Sequence, residues 1–238
     1  IALSCGSHSG SKLHTREAFK ILWEYDIDIH NLKCPLKITS PLEHNCSGKH
    51  AAFLATCKKL NWPLESYLKA SHPLQKEILR IVSELLEIPE SELHVARDDC
   101  GAPTFYMKLI EMAKLYSMLS SSDNAELEQI SRAMTTNPVM ISDNNKFDTQ
   151  IIKNSHGQVI SKGGSEGIQC LCKVNEGIGI ALKVEDGSRR AKHAVSLHLM
   201  KQLDWISELR IQDIEDKILN FSEGVRIEVK GQLKFQES

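Results

Sequence analysis

The chain has 238 residues, of which 41% are hydrophobic and 25% charged, a balance that suits a folded protein with one large core or two modest ones and excludes a disordered chain. Its formal charge of -2 comes from mixed signs along the whole length, which excludes a basic surface for nucleic acid or an anionic membrane and favours a small neutral ligand. No run of 18 apolar residues offers a membrane span, and no basic, apolar-cored leader opens the chain.

The apolar run Ile1–Cys5 reads as a strand and leads into the turn-rich "GSHSGS". Because the run resembles the middle of a buried strand and begins with Ile rather than Met, the natural protein is expected to start upstream. In "HTREAFKILWEY", Ala18, Ile21, Leu22 and Tyr25 recur at helical intervals. A Pro-marked loop from Cys34 to Asn45 follows, and then "KHAAFLATCKKL" gives a second helix, stopped by "NWP". A third is expected over "HPLQKEILRIVSELLEI", with Pro73 in its first turn and Ile78, Ile81, Val82, Leu85 and Leu86 on one face.

"ELHVARDDCGAPTF" reads as a short strand running into a chemically dense loop, with a helix over "MKLIEMAKLYSML" behind it. Between residues 150 and 188 lie three strand candidates punctuated by "HG", "NEG" and "EDG", an antiparallel signal. "AKHAVSLHLMKQLDWI" predicts a long helix, and "GVRIEVKGQLKF" alternates as an edge strand would. Strands at both ends with helices between them imply an α/β or α+β domain in which the terminal strands share one sheet; a single domain over 1–238 is the economical division.

The 7 cysteines include no C-x-x-C pair and lack secreted-domain density, so they read as reduced thiols in the cytoplasm. Four Gly-containing loops concentrate the reactive groups: "SCGSHSGSK", "NCSGKH", "RDDCGAPT" and "SKGGSEG". Glycine lets backbone N–H groups approach an anion or a developing oxyanion closely.

Taken in order, "SCGSHSG", "NCSGKHAAFLATC", "WPLESY" followed by "HPLQ", "DDCGAPTF" and "SKGGSEG" with "ALKVEDGS" resemble the asparaginase II family of the rhizobial inducible type, over nearly the whole chain. The resemblance implies a fold like that of serine β-lactamases and penicillin-binding proteins, with an antiparallel sheet and a helical cluster. It implies hydrolysis of L-asparagine to aspartate and ammonia by a cytoplasmic homodimer. Carried over by residue, it places a zinc ion on Cys46, Lys49 and Cys100. It places Asp98 against substrate, with His8 and His50 close by, and Ser7 and Lys162 as a Ser-Lys pair in which an unprotonated amine serves as base. Asp99 stands where the family pattern has Gly.

A nucleophile pair of the form S-x-x-K is expected on a helix before "SCGSHSG". Of the S-x-x-K matches in the chain, Ser9–Lys12 falls in a loop and Ser66–Lys69 between helices, so neither fits that role. The alternative is a zinc-bearing module of the same family without catalysis; a penicillin-recognising peptidase shares the Ser-Lys logic but leaves "CSGK" and "DDCGAP" unexplained.

Overall fold

The computed structural model describes residues 1–36, 39–121, 123–219 and 227–234. Helices and two small antiparallel sheets give it a mixed α+β architecture, and the chain divides into two compact units. The first comprises residues 1–111 with 140–142, and the second 112–139 with 143–238.

In the first unit, helices α1 (Lys12–Glu24) and α2 (Ser47–Lys59) pack together and carry the fully buried Leu22 and Leu54 into a core shared with Tyr67 and Leu74. Truncating either leucine to alanine is worth about 2–5 kcal/mol by the usual cost of a core cavity. Helix α3 (Pro73–Leu86) begins with Pro73 at its first position, where a missing N–H costs nothing, and His72 caps it by accepting the Leu74 N–H at 3.1 Å. It ends at Glu87 in a left-handed conformation (φ 59°), two residues before Pro89. The hairpin β1 (Val95–Arg97) and β2 (Pro103–Phe105) pairs Arg97 with Pro103.

The strand expected over Ile1–Cys5 is instead a 3-10 helix, Ala2–Cys5. Its buried Ala2 and Leu3 sit against α2, and a Cβ on Gly48 would lie 2.5 Å from the Leu3 carbonyl oxygen, so glycine is what admits the contact.

In the second unit, β3 (Val159–Gly163), β4 (Ile168–Lys173) and β5 (Ile178–Lys183) form a meander in the order β3-β4-β5. Its helices are α5 (Ala125–Thr136), α7 (Phe147–Asn154), α8 (Arg189–Gln202) and α9 (Glu208–Ile218), together with most of α4 (Leu109–Ser120). The short α6 (Pro138–Ile141) is divided between the units. Leu171, Leu197, Met200, Trp205 and Ile214 form the core.

The terminal strands do not share a sheet: among the described residues the sheets are β1-β2 and β3-β4-β5 alone. Of the alternating stretch 224–235, residues 224–226 and 235 lie outside the described residues. The part 227–234 is not a strand; it is held to α8 through the Gly231 carbonyl, which accepts from His198 and Gln202, and through the Leu233 N–H, which donates to Gln202. None of the described helices is long and apolar enough to cross a membrane.

Candidate functional site

Cys46 stands at the N-cap of α2, so Lys49 and His50 fall in the helix's first turn, and the His50 N–H donates to the Cys46 carbonyl at 3.0 Å. The β1–β2 loop supplies the opposing wall. There the Asp98 N–H donates to Ala102 O at 2.9 Å and the Gly101 N–H to Asp98 O at 2.8 Å; Gly101 takes φ +85°, a conformation that favours glycine. This tight turn sets Asp98 and Cys100 side by side, the thiol 3.5 Å from Asp98 Oδ2.

Across the gap, ligating atoms of Cys46, Asp98 and Cys100 all lie within 4.8 Å of one another, a donor set that could hold a metal ion. Lys49 Nζ is 3.4 Å from Asp98 Oδ2. The expected ligands Cys46 and Cys100 are therefore brought together with Lys49 beside them, and Asp98 adds a carboxylate oxygen to the same group. Asp99 is exposed, and its carboxylate takes no part in the cluster.

The two thiols shift each other in opposite directions. The neighbouring Cys100 sulfur, with burial, pushes Cys46 up. Cys46 drives Cys100 well below the ordinary thiol range; burial opposes this, while His50, the Ala102 N–H and Lys49 assist. Burial pulls Lys49 down, but Cys46, Cys100 and Asp98 together outweigh it and leave the amine raised. The other buried thiols behave as inert packing: burial pushes Cys34, Cys170 and Cys172 up to about 12.

His50 is fully buried. Tyr67 Oη accepts the Lys33 N–H at 3.0 Å and meets His50 Nδ1 at 2.7 Å, an arrangement that lets the phenol donate to Nδ1 and leaves Nε2 to carry the imidazole proton. Nε2 lies close enough to Cys100 to favour its thiolate, yet completes no hydrogen bond of good geometry. A buried N–H left in that state beside the cluster marks a place for an anionic or metal-bound acceptor.

Ser7 is exposed, and its backbone N–H donates to Ile141 O at 2.8 Å. Its Oγ accepts from Asn45 Nδ2 at 3.1 Å, and the same nitrogen is 3.5 Å from Cys46 Sγ. His8, by contrast, is buried with both ring nitrogens engaged: Nδ1 accepts the Gly10 N–H at 3.2 Å, and Nε2 meets Ser47 Oγ at 3.2 Å. Ser47 in turn donates to Leu42 O at 2.8 Å.

The sequence model of the L-asparaginase II family matches residues 1–235. The chain belongs to the L-asparaginase II family. Membership gives this asparaginase II chain an asparaginase-type hydrolytic function at the level of the family as a whole. Among curated proteins none matches it.

Lys162 of this family member lies in the second unit, near the end of β3 opposite Cys170, and its Nζ donates to Gly163 O at 2.6 Å. Beside it Asp148 is buried. Its oxygens accept from Ser161 Oγ at 2.7 Å, Gly163 N at 2.9 Å and Gln169 Nε2 at 2.8 Å. Burial alone would raise this carboxyl; Lys162 and the three donors more than offset it and keep it lowered. Lys192, nearly buried, donates to Gly164 O and Ile168 O, and burial lowers its amine.

Asn45 and Asp148 are the site residues that sequence reasoning missed. Asn45 sits inside the quoted "HNCSGKH", but an asparagine beside a glycine loop reads first as a turn residue. Asp148 carries no motif, since its partners come from β3 and β4 through tertiary structure alone.

Proposed function

We propose that this chain is an L-asparagine amidohydrolase that releases aspartate and ammonia through a Ser-Lys acyl-enzyme mechanism, with zinc as its resident metal. The observation that carries the reading is the meeting, in a chain matched to the L-asparaginase II family over residues 1–235, of the Ser7 hydroxyl with the Cys46–Asp98–Cys100 cluster through one side chain, Asn45.

In this reading the nucleophilic serine is that of the S-x-x-K pair expected before Ser7, and Ser7 with Lys162 forms the second pair: the nucleophile's proton is taken up by a lysine amine, its Oγ adds to the amide carbon, and the proton is returned to the amide nitrogen, which leaves as ammonia. Water then hydrolyses the ester to free aspartate. The donor set fits zinc: two sulfurs, a carboxylate oxygen and an adjacent amine, Lys49, match the soft-to-borderline ligands that zinc takes in tetrahedral sites. Cys46 and Cys100 would hold the ion, with Lys49 or Asp98 completing the set. Bound there, zinc would supply positive charge that polarises a neighbouring carbonyl or water.

Asp98 fits a substrate-orienting role, being half exposed at the rim with a carboxylate suited to an α-ammonium group. Substrate roles for His8 and His50 would require His8 to release Gly10 or Ser47, and His50 to use its Nε2–H. The resemblance further supports a penicillin-binding-protein-like arrangement of one asparaginase-like domain, a homodimer and a cytoplasmic location.

The test is ammonia release from L-asparagine by the chain and by Lys162→Met, with elemental analysis of both. Activity with stoichiometric zinc, abolished in the variant while circular dichroism is unchanged, is the expected result. Equal rates would remove Lys162 from the mechanism, and zinc without any ammonia release would leave a metal-bearing module of the same family.

A further inference from the structure

Asn45 ties two loops together twice. Its carbonyl accepts the His8 N–H at 3.2 Å, while its side-chain nitrogen reaches Ser7 Oγ at 3.1 Å and Cys46 Sγ at 3.5 Å. The main chain around it is set independently: the Cys46 N–H donates to His44 Nδ1 at 3.1 Å, and the Ser47 N–H to His44 O at 2.9 Å. Asn45 is thus anchored through its backbone, and its amide group alone is left to choose an orientation.

A primary amide nitrogen carries two hydrogens in a fixed plane. One on the serine oxygen and one on the sulfur uses both, and neither can be moved without moving the other. An N–H pointed at Ser7 Oγ occupies an oxygen lone pair, leaves the hydroxyl proton free for a base, and stabilises negative charge as it develops on oxygen. The bond to Cys46 depends on the state of the sulfur: a thiol accepts weakly, whereas a metal-ligating thiolate accepts with charge assistance.

We propose that Asn45 is a positioning residue that couples the Ser7 hydroxyl to the metal centre, its amide held more firmly in register for Ser7 when Cys46 is a metal-bound thiolate than when it is a thiol. The inference rests on the reading of Ser7 as a reacting group and of Cys46 as a ligand. Coupling of this kind is reciprocal, so modification of Ser7 also changes the affinity of the cluster for its ion.

The experiment labels Ser7 with a serine-directed fluorophosphonate, mapped by peptide mass, in zinc-loaded and chelator-treated protein. Ser7→Ala serves as the blank. In the natural sequence the labelling rate is expected to fall about tenfold when zinc is removed, the effect of one charge-assisted hydrogen bond. In Asn45→Asp, which keeps the shape and loses the donor, and in Asn45→Ala, labelling should be slow and indifferent to zinc. A variant that still responds tenfold to zinc would overturn the proposal, as would failure of the chain to bind zinc at all.

A purely structural role for Asn45 would slow labelling equally in both metal states, and it would leave the absorption of the cobalt-substituted protein unmoved. Loss of an N–H from a ligating sulfur should instead shift the sulfur-to-cobalt band to lower energy. Should neither variant fold, the natural sequence still decides: an unchanged zinc affinity after complete Ser7 labelling overturns the coupling. Ammonia release from L-asparagine in the same samples bears on the amidohydrolase reading alone, so a chain that is inactive yet shows zinc-dependent labelling would sink that reading and keep this one.

Discussion

Asp98 and Asp148 are both carboxylates set among sulfur, amine and hydroxyl groups, and they are built for opposite ends. Asp148 is enclosed, and its oxygens are met by Ser161, Gly163 and Gln169 from its own unit. Asp98 has a side chain 41% exposed, with one oxygen given to the Asp99 N–H and the other facing Lys49 and the Cys100 thiol. The first is a closed polar knot in which both carboxylate oxygens are supplied with donors. The second belongs to a corner in which two sulfurs and a carboxylate oxygen converge beside the amine of Lys49. Closed networks specify structure, whereas acceptor-rich corners await a cation.

The comparison breaks first at the knot. Asp148→Ala removes the acceptor that Ser161, Gly163 and Gln169 share, leaving Gln169 only its bond to Ser161 Oγ, and should lower unfolding stability by about 3–5 kcal/mol, the cost of breaking a buried charged network. Urea unfolding measures it, and a loss below about 1 kcal/mol would show the knot to be incidental.

The acceptor corner should respond to metal. Zinc at 100 times its dissociation constant should stabilise the fold by about 2.7 kcal/mol by mass action, and Cys100→Ser should remove most of that gain. Thermal melts with and without zinc give the figure. A variant that gains as much as the natural sequence would place the ion elsewhere.

A smaller effect sharpens the electrostatics beside the knot. His193 stacks on Phe147 with ring centroids 4.2 Å apart; burial, with Lys192 and Arg189 adding, lowers its imidazole from 6.5 to about 4. The folded chain therefore binds fewer protons than the unfolded one between these values. Stability from this group is complete above pH 6.5 and is lost as pH falls toward 4, by about 2 kcal/mol after allowance for partial exposure. Unfolding at pH 7, 5 and 4 should show that slope in the natural sequence and a shallower one in His193→Gln.

Amphipathic helices were the most legible elements. The apolar spacing that marks α1 buries Ala18 and Leu22, whereas on the face read for α3 Leu86 is buried and Ile81 stays exposed. The three Gly-punctuated strands were equally readable, and "NEG" is the β4–β5 turn, with Asn175 and Gly177 both at positive φ. Ile1–Cys5 misled because a short apolar run suits a strand or a buried helical turn alike, and only Leu3 against Gly48 decides. Helix α7 is only eight residues long, too short for its apolar spacing to stand out in the sequence.

At the site, the loops that hold Cys46, Lys49, Asp98 and Cys100 were visible as motifs, and their convergence on one point was not. That convergence needs the α2 N-terminus and the β1–β2 turn to face each other, which no local pattern encodes. Asn45 and Asp148 were hidden for the same reason: each draws its meaning from partners distant in the chain.

The placement of the tryptophans makes the two units separately visible to light. Trp23 is 76% exposed on α1, and Trp62 packs against the core of the first unit, while Trp205 is buried in the core of the second. An indole in water emits at longer wavelength than one shielded from it, and iodide quenches only the accessible one. With Trp23 and Trp62 replaced by phenylalanine, the remaining blue-shifted emission belongs to Trp205, and its change during denaturation times the opening of the second core against the whole-chain circular dichroism. Coincident transitions would mean that the two cores melt as a single cooperative body; separated ones would mean that each holds its own melting point.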